Sequence, residues 1–126
     1  MPQLTNERYL GLLLIADAIL DIPTFSGGNS SFEAFAMGVP IVTWPQREMR
    51  TRVTSALYQQ MGVQDLIVSS KIAYINLSYK LANDSLFKSC MQNKITLNNY
   101  KLFEQSNAIT NLEDFLRIAT AKKMDK

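Results

Sequence analysis

Gly27 and Gly28, the polar triplet Asn29, Ser30 and Ser31, and Glu33 form the stretch best suited to chemistry. Neither glycine carries a Cβ, so the backbone is expected to turn there with positive φ and to let a ligand approach closely. The backbone N–H groups of Asn29, Ser30 and Ser31 then open a helix, where the macrodipole favours an anion by about 0.3–1 kcal/mol. The side chains of Asn29 and Ser30 can add hydrogen bonds to phosphate oxygens. One turn further on, Glu33 can accept from a vicinal diol, so the spacing suits a diphosphate joined to a ribose. A purely local reading stays open beside this one. Ser30 and Glu33 also stand as a capping box, which needs no ligand. Two better-known phosphate signatures, GxGxxG and GxxxxGK[ST], are absent from the sequence.

The elements that must position this turn follow from periodicity and punctuation. A helix is expected over 4–14 and a strand over 17–20. The helix over 29–37 turns Phe32, Phe35 and Ala36 to the sheet, with Gly38 ending it and Pro40 preventing its continuation. A strand over 41–43, a loop over 44–49 and a helix over 50–61 come next. Val53, Ala56, Leu57 and Met61 form the expected buried stripe of that helix, with Gly62 at its end, and residues 66–68 are a third strand candidate. Residues 71–82 read both ways: Ile75, Leu77, Tyr79 and Leu81 alternate like a strand, whereas Ile72, Ile75, Tyr79 and Ala82 fall at helical spacing. Asp84 is placed to cap a helix carrying Leu86, Phe87, Cys90 and Met91. Residues 110–113 form a capping-box pattern opening a last helix, with Leu112, Phe115, Leu116 and Ala119 on one face. The fold class this implies is α/β, a Rossmann-like small parallel sheet flanked by helices with a helical C-terminal part. Residues 1–126 form one domain on this reading, with 121–126 as a flexible tail.

Composition narrows the chemistry. The chain has 126 residues, 47% of them hydrophobic, enough for one ordinary core. Thirteen basic against eleven acidic residues leave a formal charge of +2, too weak and too evenly spread for nucleic-acid or membrane-surface binding. One cysteine, Cys90, excludes an internal disulfide and a multi-cysteine zinc site. With no histidine, the chain holds no Ser-His-Asp or Cys-His nucleophile and no histidine metal site. No residue of the chain is therefore assigned a catalytic role, and no metal site is expected. The absence of a long apolar run and of a leader-like start places the protein in the cytoplasm on this reading.

Three runs carry a resemblance: YLGLLLIADAILD, FSGGNSSFEAFAMGVPIVTWP and RTRVTSALYQQMGVQDLIV. Together they resemble the C-terminal catalytic half-domain of bacterial glycosyltransferases related to O-linked N-acetylglucosamine transferase, over close to the whole chain. The resemblance implies one half of a GT-B fold, built from two Rossmann domains, with a UDP-sugar donor lying against this half. It assigns Asn29 and Ser30 to the diphosphate, beside Gly27, Gly28 and Ser31, and Glu33 to the ribose hydroxyls. Tyr9 falls near the uracil, where it either stacks on the base or packs in the core. Asp21 and Pro23 are read as shaping the loop. Departures are Ser30 for threonine, Gln46 for a glycine beside the sugar, and Leu12 for a basic residue, the last offset by Arg47 reaching a phosphate. The implied reaction moves a hexose or N-acetylhexosamine to a protein side chain without an obligatory metal or other cofactor. The protein acceptor and the general base belong to the other half, so the isolated chain is expected to be inactive. A binding module with the same half-fold and no catalysis is the alternative. Exposed apolar surface favours self-association as a homo-oligomer under either reading.

Overall fold

A computed structural model describes residues 4–124. Helix α1 (Asn6–Ile15) leads into strand β1 (Ile19–Leu20), helix α2 (Asn29–Ala36) and strand β2 (Ile41–Val42). A 3-10 turn (Met49–Thr51) precedes α3 (Val53–Met61), and α4 (Lys71–Asn83) and α5 (Ser85–Asn98) follow. A second 3-10 turn (Asn99–Leu102) then reaches α6 (Ser106–Met124). The strands pair in parallel, Ile19 with Ile41 and Leu20 with Val42, so α2 is the crossover of a β–α–β unit. The expected α/β class is therefore the observed one.

Residues 66–68 do not extend into a third strand. They contribute a single parallel bridge, Thr43 with Ile67, in which Thr43 N–H donates to the Leu66 carbonyl at 3.1 Å and Val68 N–H to the Thr43 carbonyl at 2.9 Å. The reason lies in Tyr58. Its hydroxyl accepts the Ile41 N–H at 2.8 Å and donates to the Ile41 carbonyl at 2.9 Å, occupying the groups a longer strand would use. The Tyr58 ring is fully buried and meets Phe35 edge-on, centroids 4.7 Å apart. Ile41, Val42, Met61, Leu66, Leu81 and Ile95 complete the centre of the core.

Burial raises the Tyr58 hydroxyl pKa far above the usual phenol value; hydrogen bonding to Ile41 opposes this, while Asp21 and Asp65 add to it. Tyr58→Phe is expected to cost about 2–3 kcal/mol, because Ile41 keeps a buried N–H and carbonyl without partners. The folded phenol stays protonated where the unfolded one ionises, near pH 10. Its stabilisation is thus present below about pH 10 and lost above it, by up to about 1.4 kcal/mol per pH unit. Tyr9 and Tyr74, also raised by burial first, share this direction. Urea unfolding on either side of pH 10 should show a shallower alkaline loss in the phenylalanine variant.

The helices correct several expectations of register. In α2 the buried face is Ser31, Ala34 and Phe35, with Phe32 partly covered by Phe103 and Ala36 exposed. Its end is a Schellman closure: Gly38 at φ 72° donates to Phe35 at 3.1 Å, and Val39 donates to Ala34 at 2.9 Å. In α3 the buried face is Thr54, Ser55, Leu57, Tyr58 and Met61; Ala56 is exposed and Val53 only partly covered. Here Thr54 and Ser55, not the expected Val53 and Ala56, turn inward: Thr54 joins Ser26 and Ser31, and Ser55 Oγ donates to the Arg52 carbonyl at 2.9 Å.

Residues 71–82 are helical because Ser70 caps α4, accepting the Ala73 N–H at 3.2 Å, and Tyr74, Leu77 and Leu81 face the core. Ile72, Ile75 and Tyr79 of the competing patterns are exposed. Asp84 caps α5 as expected, through Phe87 N–H at 2.9 Å, but Leu86 and Cys90 are exposed while Met91 and Ile95 are buried. The last helix begins at Ser106, so residues 110–113 lie inside it and Thr110 Oγ1 bonds the Ser106 carbonyl at 3.2 Å. Leu112, Phe115 and Leu116 lie exposed on it. The tail expected over 121–126 is helical as far as Met124; residues 125–126 lie outside the described residues. Among the described residues no helix is long and apolar enough to cross a membrane.

Candidate functional site

The site lies at the C-terminal end of β1, where open α/β sheets hold their ligands. Asp21 ends the strand, and its carboxylate is buried, 6% exposed. Its Oδ2 accepts from Ser26 Oγ and Thr43 Oγ1, both at 2.7 Å, and its Oδ1 accepts the Gly27 N–H at 2.9 Å. Ser26 Oγ also accepts the Thr54 N–H at 3.0 Å and lies 2.8 Å from Thr54 Oγ1, which in turn lies 2.8 Å from Ser31 Oγ. Ser26 N–H donates to the Arg50 carbonyl at 2.9 Å, and Tyr74 Oη donates to the Asp21 carbonyl at 2.8 Å. β1, β2, α2, α3 and α4 are thereby tied through one buried polar cluster beneath the loop. The shaping role expected of Asp21 has this physical form.

Above the cluster, the first turn of α2 is open. Gly28 is the N-cap residue, and no side chain caps the helix. The capping box of Ser30 and Glu33 is therefore not formed, and among the described residues Asn29, Ser30 and Glu33 make no side-chain hydrogen bond. Ser31 behaves differently from the expectation: its N–H donates to the Gly28 carbonyl at 3.0 Å and its buried hydroxyl turns to Thr54. This leaves the N–H groups of Asn29 and Ser30 at the helix start. Neither Gly27 nor Gly28 has positive φ, a second correction. Gly27 is required for closeness instead: a Cβ there would stand 2.4 Å from Ser31 Oγ and 2.9 Å from Ser30 Oγ.

A cavity of about 350 Å³ adjoins this turn, lined on its polar side by Asp21, Ser26, Gly27, Gly28, Ser30 and Ser31. Tyr9, Ile19, Leu20, Ile22, Phe25 and Ile41 supply the apolar side. Tyr9 packs against the core and also lines the cavity. Its hydroxyl pKa is raised by burial and, secondarily, by the Glu33 carboxylate. Glu33 is partly exposed and Asn29 exposed; both flank the cavity lining without belonging to it. Arg47 is exposed on the loop after β2 and is not among the lining residues. Gln46 folds back within that loop, its Nε2 donating to the Trp44 carbonyl at 3.2 Å, and does not narrow the cavity.

Sequence reasoning missed Thr43, Thr54 and Ser26 as supports of the loop, and Phe25 as a wall. The one signal available was that Thr54, Leu57, Tyr58 and Met61 also fall at helical spacing. Among the described residues no group of three or more acidic or cysteine side chains could hold a metal. The arrangement can bind an anion at the α2 start, with Tyr9 and Phe25 in the wall of the adjoining cavity.

Known proteins resemble this chain in sequence and in fold. Residues 6–112 match the profile of glycosyl transferase family 41. The chain is 25% identical over 113 residues to a UDP-N-acetylglucosamine--peptide N-acetylglucosaminyltransferase of Caenorhabditis elegans, covering 88% of the chain and 10% of that protein. Over 114 residues it is 30% identical to the probable UDP-N-acetylglucosamine--peptide N-acetylglucosaminyltransferase SEC of Arabidopsis thaliana, covering 86% of the chain and 11% of that protein. Among solved structures, the K341M mutant of Thermobaculum terrenum O-GlcNAc transferase superposes with a TM-score of 0.79 and 28% identity. That match covers 90% of this chain and 22% of the solved one. The chain thus spans about a tenth of the length of the two curated relatives.

Proposed function

The chain belongs to glycosyl transferase family 41, and from that premise we propose that it is the donor-binding part of an enzyme moving a sugar from a UDP-sugar to a protein side chain. The relatives' names specify N-acetylglucosamine and a peptide acceptor, and these are the first donor and acceptor class to test. The observation that carries the reading is the uncapped start of α2. Its N–H groups and the free side chains of Asn29 and Ser30 suit a diphosphate, Glu33 one turn into the helix suits the ribose hydroxyls, and Tyr9 in the cavity wall suits the base. When the acceptor oxygen attacks the anomeric carbon and the carbon–phosphate oxygen bond breaks, negative charge grows on the departing diphosphate. Fixed N–H donors at a helix start stabilise that charge without reorganising. The acceptor's proton passes to a base outside this chain, and the reaction needs no metal on this reading. Arg47 serves only if its loop closes over a bound phosphate.

Titration calorimetry with UDP tests the reading directly, with ADP and GDP as competitors. Saturable UDP binding is expected, weakened about tenfold by Glu33→Gln, since a hydrogen bond to a charged acceptor is lost. A folded chain that binds none of the nucleotides overturns the proposal and leaves a non-catalytic interaction module as the better description.

A further inference from the structure

We propose that α6 is a docking arm for a second copy of this chain: its apolar stripe seats in a groove along α3 of the other copy, whose own α6 returns the contact. The groove is a cavity of about 620 Å³ lined by Phe32, Met49, Arg52, Val53, Ala56 and Leu57. It shares no lining residue with the cavity at the start of α2, so the inference stands apart from the donor reading. Val53 and Ala56 are left at the surface because Thr54 and Ser55 take the inward positions of α3. With Phe32 and Met49 they make an apolar trough above the buried Leu57.

On α6, Ile109, Leu112, Phe115 and Leu116 fall at helical spacing on one face, and all four are exposed. Every residue from Ser106 to Ala121 is exposed, so among the described residues the stripe has no cover from its own chain. A helix draws most of its stability from packing such a face. The joint before it holds the arm outward. Glu104, at φ 54°, is the one non-glycine residue with positive φ among the described residues. Ser106 N–H donates to the Glu104 carbonyl at 3.0 Å and Ala108 N–H to the Gln105 carbonyl at 3.2 Å. Phe103, just ahead of this turn, packs on Phe32 with ring centroids 6.1 Å apart, yet the helix beyond it stands clear of its own groove. Length and charge both match a groove on another copy. From Arg52 to Gln59 the groove follows α3 for about 12 Å, and Ile109 to Leu116 cover the same length. Arg52 is the charged residue of the lining, is exposed and has no ion-pair partner among the described residues. Glu113, four residues from Ile109 and three from Leu116, borders the stripe as its counterpart. Each copy gives an arm and offers a groove, so the contact closes as a two-fold dimer.

Sedimentation velocity over a micromolar concentration series tests this on the whole chain, which should sediment with twice the mass of one copy. Leu112→Glu in the arm and Ala56→Glu in the groove should each leave a monomer. Both positions are exposed in the single chain, so circular dichroism should report an unchanged fold. Arg52→Glu and Glu113→Arg should each weaken the dimer about tenfold or more, and the two together should restore it, because the pair is then reversed and again complementary. A wild-type chain that stays monomeric, a dimer that Ala56→Glu leaves intact, or a double reversal no tighter than the single ones overturns the proposal. The second of these outcomes would mean that the arms pair with each other and not with the groove.

Discussion

Replacing Asp21 with alanine is expected to abolish measurable UDP binding and to lower the stability of the fold by about 3–5 kcal/mol. Its carboxylate gathers the Ser26 and Thr43 hydroxyls and the Gly27 N–H. The two hydroxyls can rotate to other partners once it is gone. The Gly27 N–H cannot, because the backbone there is fixed by the close packing of Gly27 against Ser30 and Ser31. The loop must then move until water reaches that donor, which shifts the start of α2. A loss of this size is a large share of the 5–15 kcal/mol that holds a typical domain together. Asp21→Asn separates the loop from the fold. The amide keeps the shape but presents an N–H₂ group where donors converge, so at least one of Ser26, Thr43 and Gly27 loses its acceptor. Asparagine should cost less in urea unfolding than alanine yet still weaken UDP binding severalfold. Wild-type UDP affinity in a folded asparagine variant would show that Asp21 supports the sheet and not the anion seat.

Much of this cluster was hidden from the sequence for a physical reason. Ser26, Thr43 and Thr54 belong to residue types that usually face water, and each becomes a core residue here only because it meets Asp21 or another hydroxyl across the chain. No local pattern records such a meeting. The same blindness moved the buried stripe of α3 by one position, since Thr54 and Ser55 were not counted as inward residues. By contrast, α2 was legible almost to the residue because its signals are local: a glycine pair before it, Gly38 in a left-handed conformation after it, and Pro40 beyond. Residues 71–82 could not be settled because both periodicities were present. Burial of Leu81 together with the Ser70 cap decides for the helix. The site residues Tyr9, Gly27, Gly28, Ser30 and Ser31 do gather around one cavity, while Arg47 stands apart from it.

Gly27→Ala should be the most disruptive single methyl that can be added to the site. Its Cβ would lie 2.9 Å from Ser30 Oγ, which is exposed and free to rotate. It would also lie 2.4 Å from Ser31 Oγ, which is buried and held 2.8 Å from Thr54 Oγ1. Ser31 can yield only by breaking that bond or by carrying the first turn of α2 outward. Either movement turns the Asn29 and Ser30 N–H groups away from a common point. UDP affinity is therefore expected to fall more than tenfold, with a stability loss of about 1–3 kcal/mol typical of overpacking. Gly28→Ala is the matched control, because a Cβ there meets nothing within 4 Å. It should leave Ser31 and the first turn of α2 in place at a cost of about 1 kcal/mol, although its methyl enters the cavity that Gly28 lines. The contrast between neighbours ties the loss of affinity to the Ser31 contact and not to glycine content in general. If Gly27→Ala binds UDP as the wild type does, the start of α2 is not where the diphosphate sits.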